Sequence, residues 1–340
     1  MRSVLGKVLL GLAGFLLTAA LLVALWVPGQ VKRTPLDTDS TTRLSGTASV
    51  LPVGDGGPVK AVSRSVANGE LSDGDVIVFD TFTCLIKDPD GTAPDCVDDD
   101  DPDGRLVNAS TDQFATDLRT GEAVLDEKYS SVDSALHEGL VNKFPFDVEQ
   151  RTYPFWDGLL DRAVDAEFQG EESIDGLNTY RFQTTVQDEV AEIATGIEGT
   201  YSSNKTMWID PVTGAIMKQQ EQQQRRLADG TPVLAFVMRF TDDTVAANVA
   251  SAKDSGSQLA LISRAPWLLG LLGLLALAAG IFLASSARRA TEEPVYADEP
   301  GYDADRYPDR TDQFFEEATA GDTSPTEPIE TRRARRDLTE

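Results

Sequence analysis

Lys218-Gln219-Gln220-Glu221-Gln222-Gln223-Gln224-Arg225-Arg226 is polar throughout; Asp229-Gly230 follows it, and then the apolar run Val233-Leu234-Ala235-Phe236-Val237-Met238-Arg239-Phe240. Asp-Gly between an extended polar run and an apolar one predicts a two-residue hairpin turn. A strand with so polar a face leaves one side in water, as the strands of antiparallel sheets do. Period-two alternation and closely spaced turn signals run from Val31 to Val245, with strand candidates at 42–51, 75–82, 180–186, 206–209, 215–225 and 232–240. The fold class this predicts is mainly β (α+β), built on a curved antiparallel sheet.

Outward from this region lie two apolar blocks, 8–27 and 266–284, neither holding a charged side chain. Each approaches the roughly 20 residues with which a helix crosses about 30 Å of hydrocarbon. The domain limits that follow are transmembrane helices at 8–27 and 265–284 around a β-rich domain at 28–264. The first block has a rival reading as a cleaved signal peptide, with Arg2 and Lys7 as its basic start and Thr18 and Ala20 as a small-x-small cleavage pattern. Its apolar run, however, continues through Leu25 and Trp26 to Pro28-Gly29, a helix-stopping pair, and is longer than a signal core. An uncleaved signal anchor fits better. The second block carries Gly270, Gly273 and Gly280 among leucines and is apolar on all faces, unlike the helix of a soluble domain.

Lys and Arg flank both sides of both blocks about equally, so the positive-inside rule is close to silent. Cys84 and Cys96 decide more: they are the only thiols and both fall between the blocks, as expected of one disulfide in an oxidising compartment, the alternative being two free thiols. The disulfide reading places 28–264 outside the cell membrane and residues 1–7 and 285–340 in the cytoplasm. The tail after Ala287 is polar, with a composition that cannot bury a core, and is predicted to be disordered. Its Arg332-Arg333-Ala334-Arg335-Arg336 cluster reads as solvated or, alternatively, as a contact to anionic lipid.

Two segments share the form Asp-x-x-Thr-Gly: Asp117-Leu118-Arg119-Thr120-Gly121 and Asp210-Pro211-Val212-Thr213-Gly214. Asp caps such a turn and Gly takes its positive φ, so each reads as a hairpin, or the pair as a duplicated β subdomain. Between them the aromatic density rises, in Lys143-Phe144-Pro145-Phe146-Asp147 and Arg151-Thr152-Tyr153-Pro154-Phe155-Trp156-Asp157. Phe144, Phe146, Tyr153, Phe155 and Trp156 are candidates to line a groove for an apolar ligand or to meet a lipid headgroup layer. The competing reading is a core plug laid across the sheet.

These segments also carry a resemblance. The order Val27-Pro28-Gly29-Gln30, Lys143 to Asp147, Thr152 to Asp157, Gly176-Leu177 with Tyr180-Arg181-Phe182, Trp208-Ile209-Asp210-Pro211-Val212-Thr213-Gly214 and a final anchor resembles actinobacterial envelope proteins labelled PorA-like, or porin PorA, over about residues 1–285. The resemblance implies two membrane anchors around an extracytoplasmic domain, and the label implies a porin. The stretches 174–182 and 208–214 are also similar to strand-turn elements of periplasmic lipoprotein carriers, whose curved sheet holds lipid.

Catalytic constellations are scarce. The single histidine, His137, reads as ordinary surface or turn, with no nucleophile elbow near it. Zinc sites need more His and Cys than exist here, and no phosphate-binding glycine loop occurs. Asp99-Asp100-Asp101-Pro102-Asp103-Gly104 matches the opening of a calcium loop, so Asp99, Asp101 and Asp103 are candidate ligands for a weak Ca²⁺ site. Its twelfth position is Ser110 instead of Glu, which disfavours an EF-hand; a solvated acidic loop is the alternative. No other cofactor is expected.

Residues 28–264 hold 41 Asp and Glu against 20 Lys and Arg, an excess of 21 negative charges that disfavours nucleic acid. The expected function is a non-enzymatic envelope protein, anchored in membrane lipid, whose external domain binds a lipid, a glycolipid or another envelope component. The alternative is an oligomeric porin, since two helices of one chain cannot enclose a pore and the strands are too short and irregular for a membrane barrel.

Overall fold

The computed structural model describes residues 2–50, 56–129 and 136–289. The acidic tail and its arginine cluster lie outside the described residues. In chain order the elements are α1 (Arg2–Val31), β1 (Asp39–Val50), β2 (Gly57–Ala67), β3 (Val76–Lys87), β4 (Leu106–Asp117), β5 (Tyr153–Asp157), β6 (Arg162–Ile174), β7 (Leu177–Ala194), β8 (Ile197–Ile209), β9 (Ile216–Leu227), β10 (Pro232–Phe240) and α2 (Asp242–Arg289). The ten strands form one antiparallel sheet in the order β4-β3-β2-β1-β10-β9-β8-β7-β6-β5. It is therefore two meanders joined by the pairing of β1 with β10.

That pairing sets where the helices attach. Leu44, midway along β1, lies opposite Phe240 at the end of β10, and Val50 at the end of β1 lies opposite Leu234 near the start of β10. Antiparallel neighbours run in opposite directions, so the chain enters and leaves the sheet at the same end. Both helices are apolar and long enough to cross a membrane, and they pack side by side. An added Cβ at Gly273 would stand 2.9 Å from Leu17, and one at Gly280 would stand 3.0 Å from Leu10. These two glycines thus serve packing of α2 on α1 within one chain, the close approach that small residues allow; Gly270 has nothing within 4 Å.

Helix limits differ from those expected. Pro28-Gly29 does not stop α1, which continues to Val31. Arg33 Nε and Arg119 Nε donate to the Gly29 carbonyl at 3.1 and 3.3 Å, satisfying an acceptor that the helix end leaves free. α2 starts at Asp242, inside the stretch expected to be β, and runs 48 residues through Pro266, about 72 Å at 1.5 Å per residue. Thr241 caps it, accepting from Thr244 N at 3.3 Å. Its first turns are an amphipathic helix: Val245, Val249 and Ala252 lie at helical spacing and pack on Ile174, Leu177, Ala215 and Met217.

The polar run forms β9 as the alternation requires: Gln223 is 7% exposed while Gln222, Gln224 and Arg226 face water. The β9–β10 connection is longer than a two-residue turn. Leu227 N donates to Thr231 O at 2.8 Å, and Gly230 takes φ +84°. Strands β2, β4, β5 and β6 fall outside the strand candidates read from the sequence.

The sheet edges β4 and β5 are linked at the helix end through two short segments. Asp117 N donates to Glu122 O, Val124 N to Ala115 O, Ala123 N to Gly139 O, Leu140 N to Pro154 O and Trp156 N to Leu140 O, all at 2.7–2.9 Å. Isolated bridges join the same residues, Thr116 with Ala123, Glu122 with Leu140, and Leu140 with Phe155. At this level the hydrogen-bonded circuit closes on itself, which removes the exposed edges on which other chains pair.

Cys84 and Cys96 form a disulfide at the opposite end of the sheet. It packs with Ile86, Ala93 and Leu106 and holds the long β3–β4 connection. Removing it in a Cys84→Ser/Cys96→Ser variant is expected to cost about 2–3 kcal/mol, chiefly by freeing the unfolded chain. The denaturant midpoint of the parent with and without reductant measures this.

Candidate functional site

The helix-facing end of the sheet gathers both Asp-x-x-Thr-Gly turns, and the same local chemistry builds them. Asp117 Oδ1 accepts from Arg119 N and Thr120 N, each at 2.8 Å. Asp210 Oδ2 accepts from Thr213 N at 3.0 Å and from its hydroxyl at 2.5 Å. Gly121 and Gly214 close the turns at φ +70° and +75°. Burial pushes the Asp117 carboxyl up, but the two amides outweigh it and hold the group below its ordinary range.

Between the turns runs the segment from Lys143 to Val148. Phe144 N donates to Gly214 O and Val148 N to Pro211 O, both at 2.8 Å, and Phe146 N donates to Arg119 O at 3.4 Å. An added Cβ on Gly214 would stand 2.0 Å from Phe144 O, and one on Gly121 would stand 3.2 Å from Lys143 O. Each turn glycine therefore leaves room for the backbone of the segment.

The segment also meets the end of α1. Lys32 pairs with Asp147. Arg33 and Arg119 share Asp75 at 2.9 and 3.1 Å, and Thr34 N donates to Leu118 O at 2.8 Å. On the other helix, Lys253 donates to the Asp175 carbonyl at 2.6 Å and Asn248 to that of Ile216 at 3.0 Å. This junction ties the sheet to both helices through side chains of opposite sign and capped carbonyls. It is suited to holding the domain at a fixed attitude.

Lys143 sits at its centre, with the Thr34 hydroxyl at 3.3 Å and the Phe146 ring at 3.8 Å below its ammonium. Burial lowers its pKa to about 8, from an ordinary 10.5. In that interval the unfolded chain holds a proton that the folded chain has released, so stability rises with pH; below about 8 both are protonated and the cost of burial remains in full. Lys143→Met is expected to flatten this rise, measured as urea midpoints below, within and above the interval.

The aromatic candidates divide. Phe144, Tyr153 and Phe155 are 0%, 2% and 5% exposed and pack with Phe182, Met207 and Ile209. The Phe144 and Phe182 ring centroids are 4.7 Å apart. These rings line neither the open groove beside β9 nor the hollow between the helices. Phe146 lies apart, against Lys143. The Trp156 and His137 rings pack tilted with centroids 4.5 Å apart, and those of His137 and Phe114 likewise at 5.3 Å. His137 is a correction to the surface reading: it is 5% exposed and bonds Asp112 Oδ2 at 2.8 Å. Rings on two faces satisfy its apolar surface while one carboxylate serves its polar edge.

In the acidic loop, Arg105 pairs with two of the three candidate ligands. Its guanidinium reaches Asp101 at 2.5 Å and Asp103 at 3.6 Å and pulls the Asp101 carboxyl down to about 2. Among the described residues no three His, Cys, Asp or Glu side chains converge as a metal site.

A second polar cluster is enclosed on the sheet's core face. Tyr201 donates to Asp157 at 3.0 Å, Ser203 donates to Glu221 at 3.0 Å, and Lys205 stands 3.6 Å from Glu221. Burial, with Asp157 beside it, pushes the Tyr201 phenol above its ordinary value. Both carboxylates are taken up by these partners.

The sequence profile of the Porin PorA family matches residues 5–282, both helices and the whole sheet. The chain belongs to the Porin PorA family. Two relatives named Porin PorA align with it. That of Corynebacterium resistens is 22% identical, over 54% of this chain and 68% of its own length. That of Corynebacterium amycolatum is 20% identical, over 54% of this chain and 66% of its own, just under two thirds. A structure of a DUF1329 family protein from Desulfovibrio piger aligns over 69% of this chain and 91% of its own at 12% identity, with a TM-score of 0.19, too low to inform the fold.

Within the family's matched span, sequence reading found the two turns and the aromatic segment but not their assembly. Asp75 and Lys253, which help to fasten the helices, stand in no local pattern. Arg119 within an Asp-x-x-Thr-Gly turn was the one available signal, since a long donor projecting from a turn reaches a neighbouring helix end.

Proposed function

We propose that this chain is a non-enzymatic envelope membrane protein that conducts ions as an oligomer. Its helix pair crosses the bilayer with both termini in the cytoplasm, and its acidic sheet domain stands outside. The observation that carries this reading is the location of the apolar surface. Phe15, Leu25, Trp26, Trp267 and Phe282 are 65–82% exposed on the two helices, whereas the exposed residues of β8 and β9 are Glu198, Asn204, Gln222, Gln224 and Arg226, with Ile197 at the start of β8 as the apolar exception. Strands so faced do not suit lipid.

Two helices enclose no aqueous path, so conduction requires several copies. A hollow of about 630 Å³ between the helices, lined by Ala20, Ala24, Trp267, Gly270 and Leu271, supplies an apolar seat for lateral packing. With 21 excess negative charges in the domain at its mouth, such a pore favours cations. Planar-bilayer recording on the purified full chain tests this. Stable conductance steps with a cation-selective reversal potential are expected; no steps with protein demonstrably in the bilayer would overturn conduction, and anion selectivity would overturn the domain's place at the mouth.

A further inference from the structure

The run of glutamines in β9 is used neither by the junction nor by the helices. Gln222 lies opposite Asn204 of β8 and Val237 of β10, and Gln224 opposite Ser202 and Ala235; Val237 and Ala235 in turn lie opposite Thr47 and Ser49 of β1. Together these strands border an open groove of about 820 Å³, lined by Thr47, Ser49, Asn204, Gln222 and Gln224 among others. Its size falls within the roughly 300–1,000 Å³ of small-molecule sites.

Two features fix the chemistry of a ligand. Among the described residues, the charged ones lining the groove are Asp188 and Arg226, on a domain with 21 excess negative charges. Asp188 is held by the Ser202 hydroxyl at 3.0 Å, and Arg226 donates to the Gln224 carbonyl oxygen at 3.0 Å. The groove is thus a nearly neutral island. Its side chains are mainly amides and hydroxyls; an amide carries a donor and an acceptor a short distance apart, and although the Asn204 and Gln224 oxygens each already accept one bond, an amide oxygen has a second lone pair. Gln183 already donates to Asn204 Oδ1 at 3.1 Å, and Asn204 is exposed. Neighbouring hydroxyls on a sugar ring present the same donor and acceptor pair. Solubility alone does not call for amides, because Lys, Glu and Thr keep a strand face wet equally well.

We propose that this groove binds a short run of a neutral, hydroxyl-rich glycan. The inference does not depend on conduction. It is tested by calorimetric titration of the full chain in nanodiscs, since maltoside detergent would present a competing sugar. The probes are linear hexasaccharides of glucose, mannose, galactose and arabinose, with hexagalacturonate and an uncharged Gly-Ser peptide alongside. At least one neutral sugar is expected to saturate, hexagalacturonate is not, and Gln222→Ala/Gln224→Ala is expected to weaken binding about tenfold. Both side chains are exposed, and an unchanged thermal melt would show that the variant is folded. Failure of every neutral sugar to saturate, equal binding of the acidic one, binding of the peptide alone, or undiminished binding by the folded variant would each overturn the proposal.

Discussion

Phe144→Ala is expected to lower the stability of the sheet domain by about 3–5 kcal/mol, the loss usual when a fully enclosed aromatic ring is removed. The ring is 0% exposed and contacts Tyr153, Phe155 and Phe182 at centroid distances of 5.4, 5.8 and 4.7 Å. Neighbours fixed on two strands, Tyr153 and Phe155 of β5 and Phe182 of β7, cannot all move inward to refill the space. Phe146→Ala, by contrast, removes a ring that covers Lys143 and is expected to cost far less. Thermal or denaturant melts of the two variants against the parent make the comparison. Equal losses would mean that Phe144 is not the centre of the core.

Gly214→Ala is the second large effect. The residue sits at φ +75°, and its Cβ would fall 2.0 and 2.4 Å from the carbonyl oxygens of Phe144 and Pro145. Backbone strain and overpacking together predict a loss of about 2–6 kcal/mol. The matching Gly121→Ala meets its nearest backbone atom at 3.2 Å, so conformational strain dominates and about 1 kcal/mol is expected. A marked asymmetry between two turns of the same sequence form, read as urea midpoints, reports which of them clamps the segment more tightly.

Much of the fold was legible because its signals are local. The polar run 218–226 declared a half-wet strand, the two Asp-x-x-Thr-Gly turns declared hairpin geometry, and Cys84 and Cys96 declared their bridge by position. What stayed hidden depends on distance along the chain. No local pattern in β1 announces β10 as its neighbour, about 200 residues away; the pairing comes from both strands abutting the helices. The start of α2 was masked because Val245, Val249 and Ala252 are spaced among Ala, Asn and Ser, too thinly to compete with the β pattern before them. Pro28 misled for a related reason: it costs a helix one donor, but Arg119 from a remote turn secures the helix end beyond it. His137 likewise lacked a sequence signal, since the rings that enclose it come from β4 and β5.

The division of labour between an apolar helix pair and a self-filled sheet is tested most directly by photo-crosslinking. The full chain, in a bilayer carrying lipids with a photoreactive group in the acyl chain, is irradiated and the labelled peptides are mapped by mass spectrometry. Labels on α1 and on the 265–284 stretch of α2, with none on β1 to β10, are expected. Acyl-chain labels along the strands, above all at Gln222, Gln224 or Asn204, would show the sheet in the hydrocarbon and contradict it.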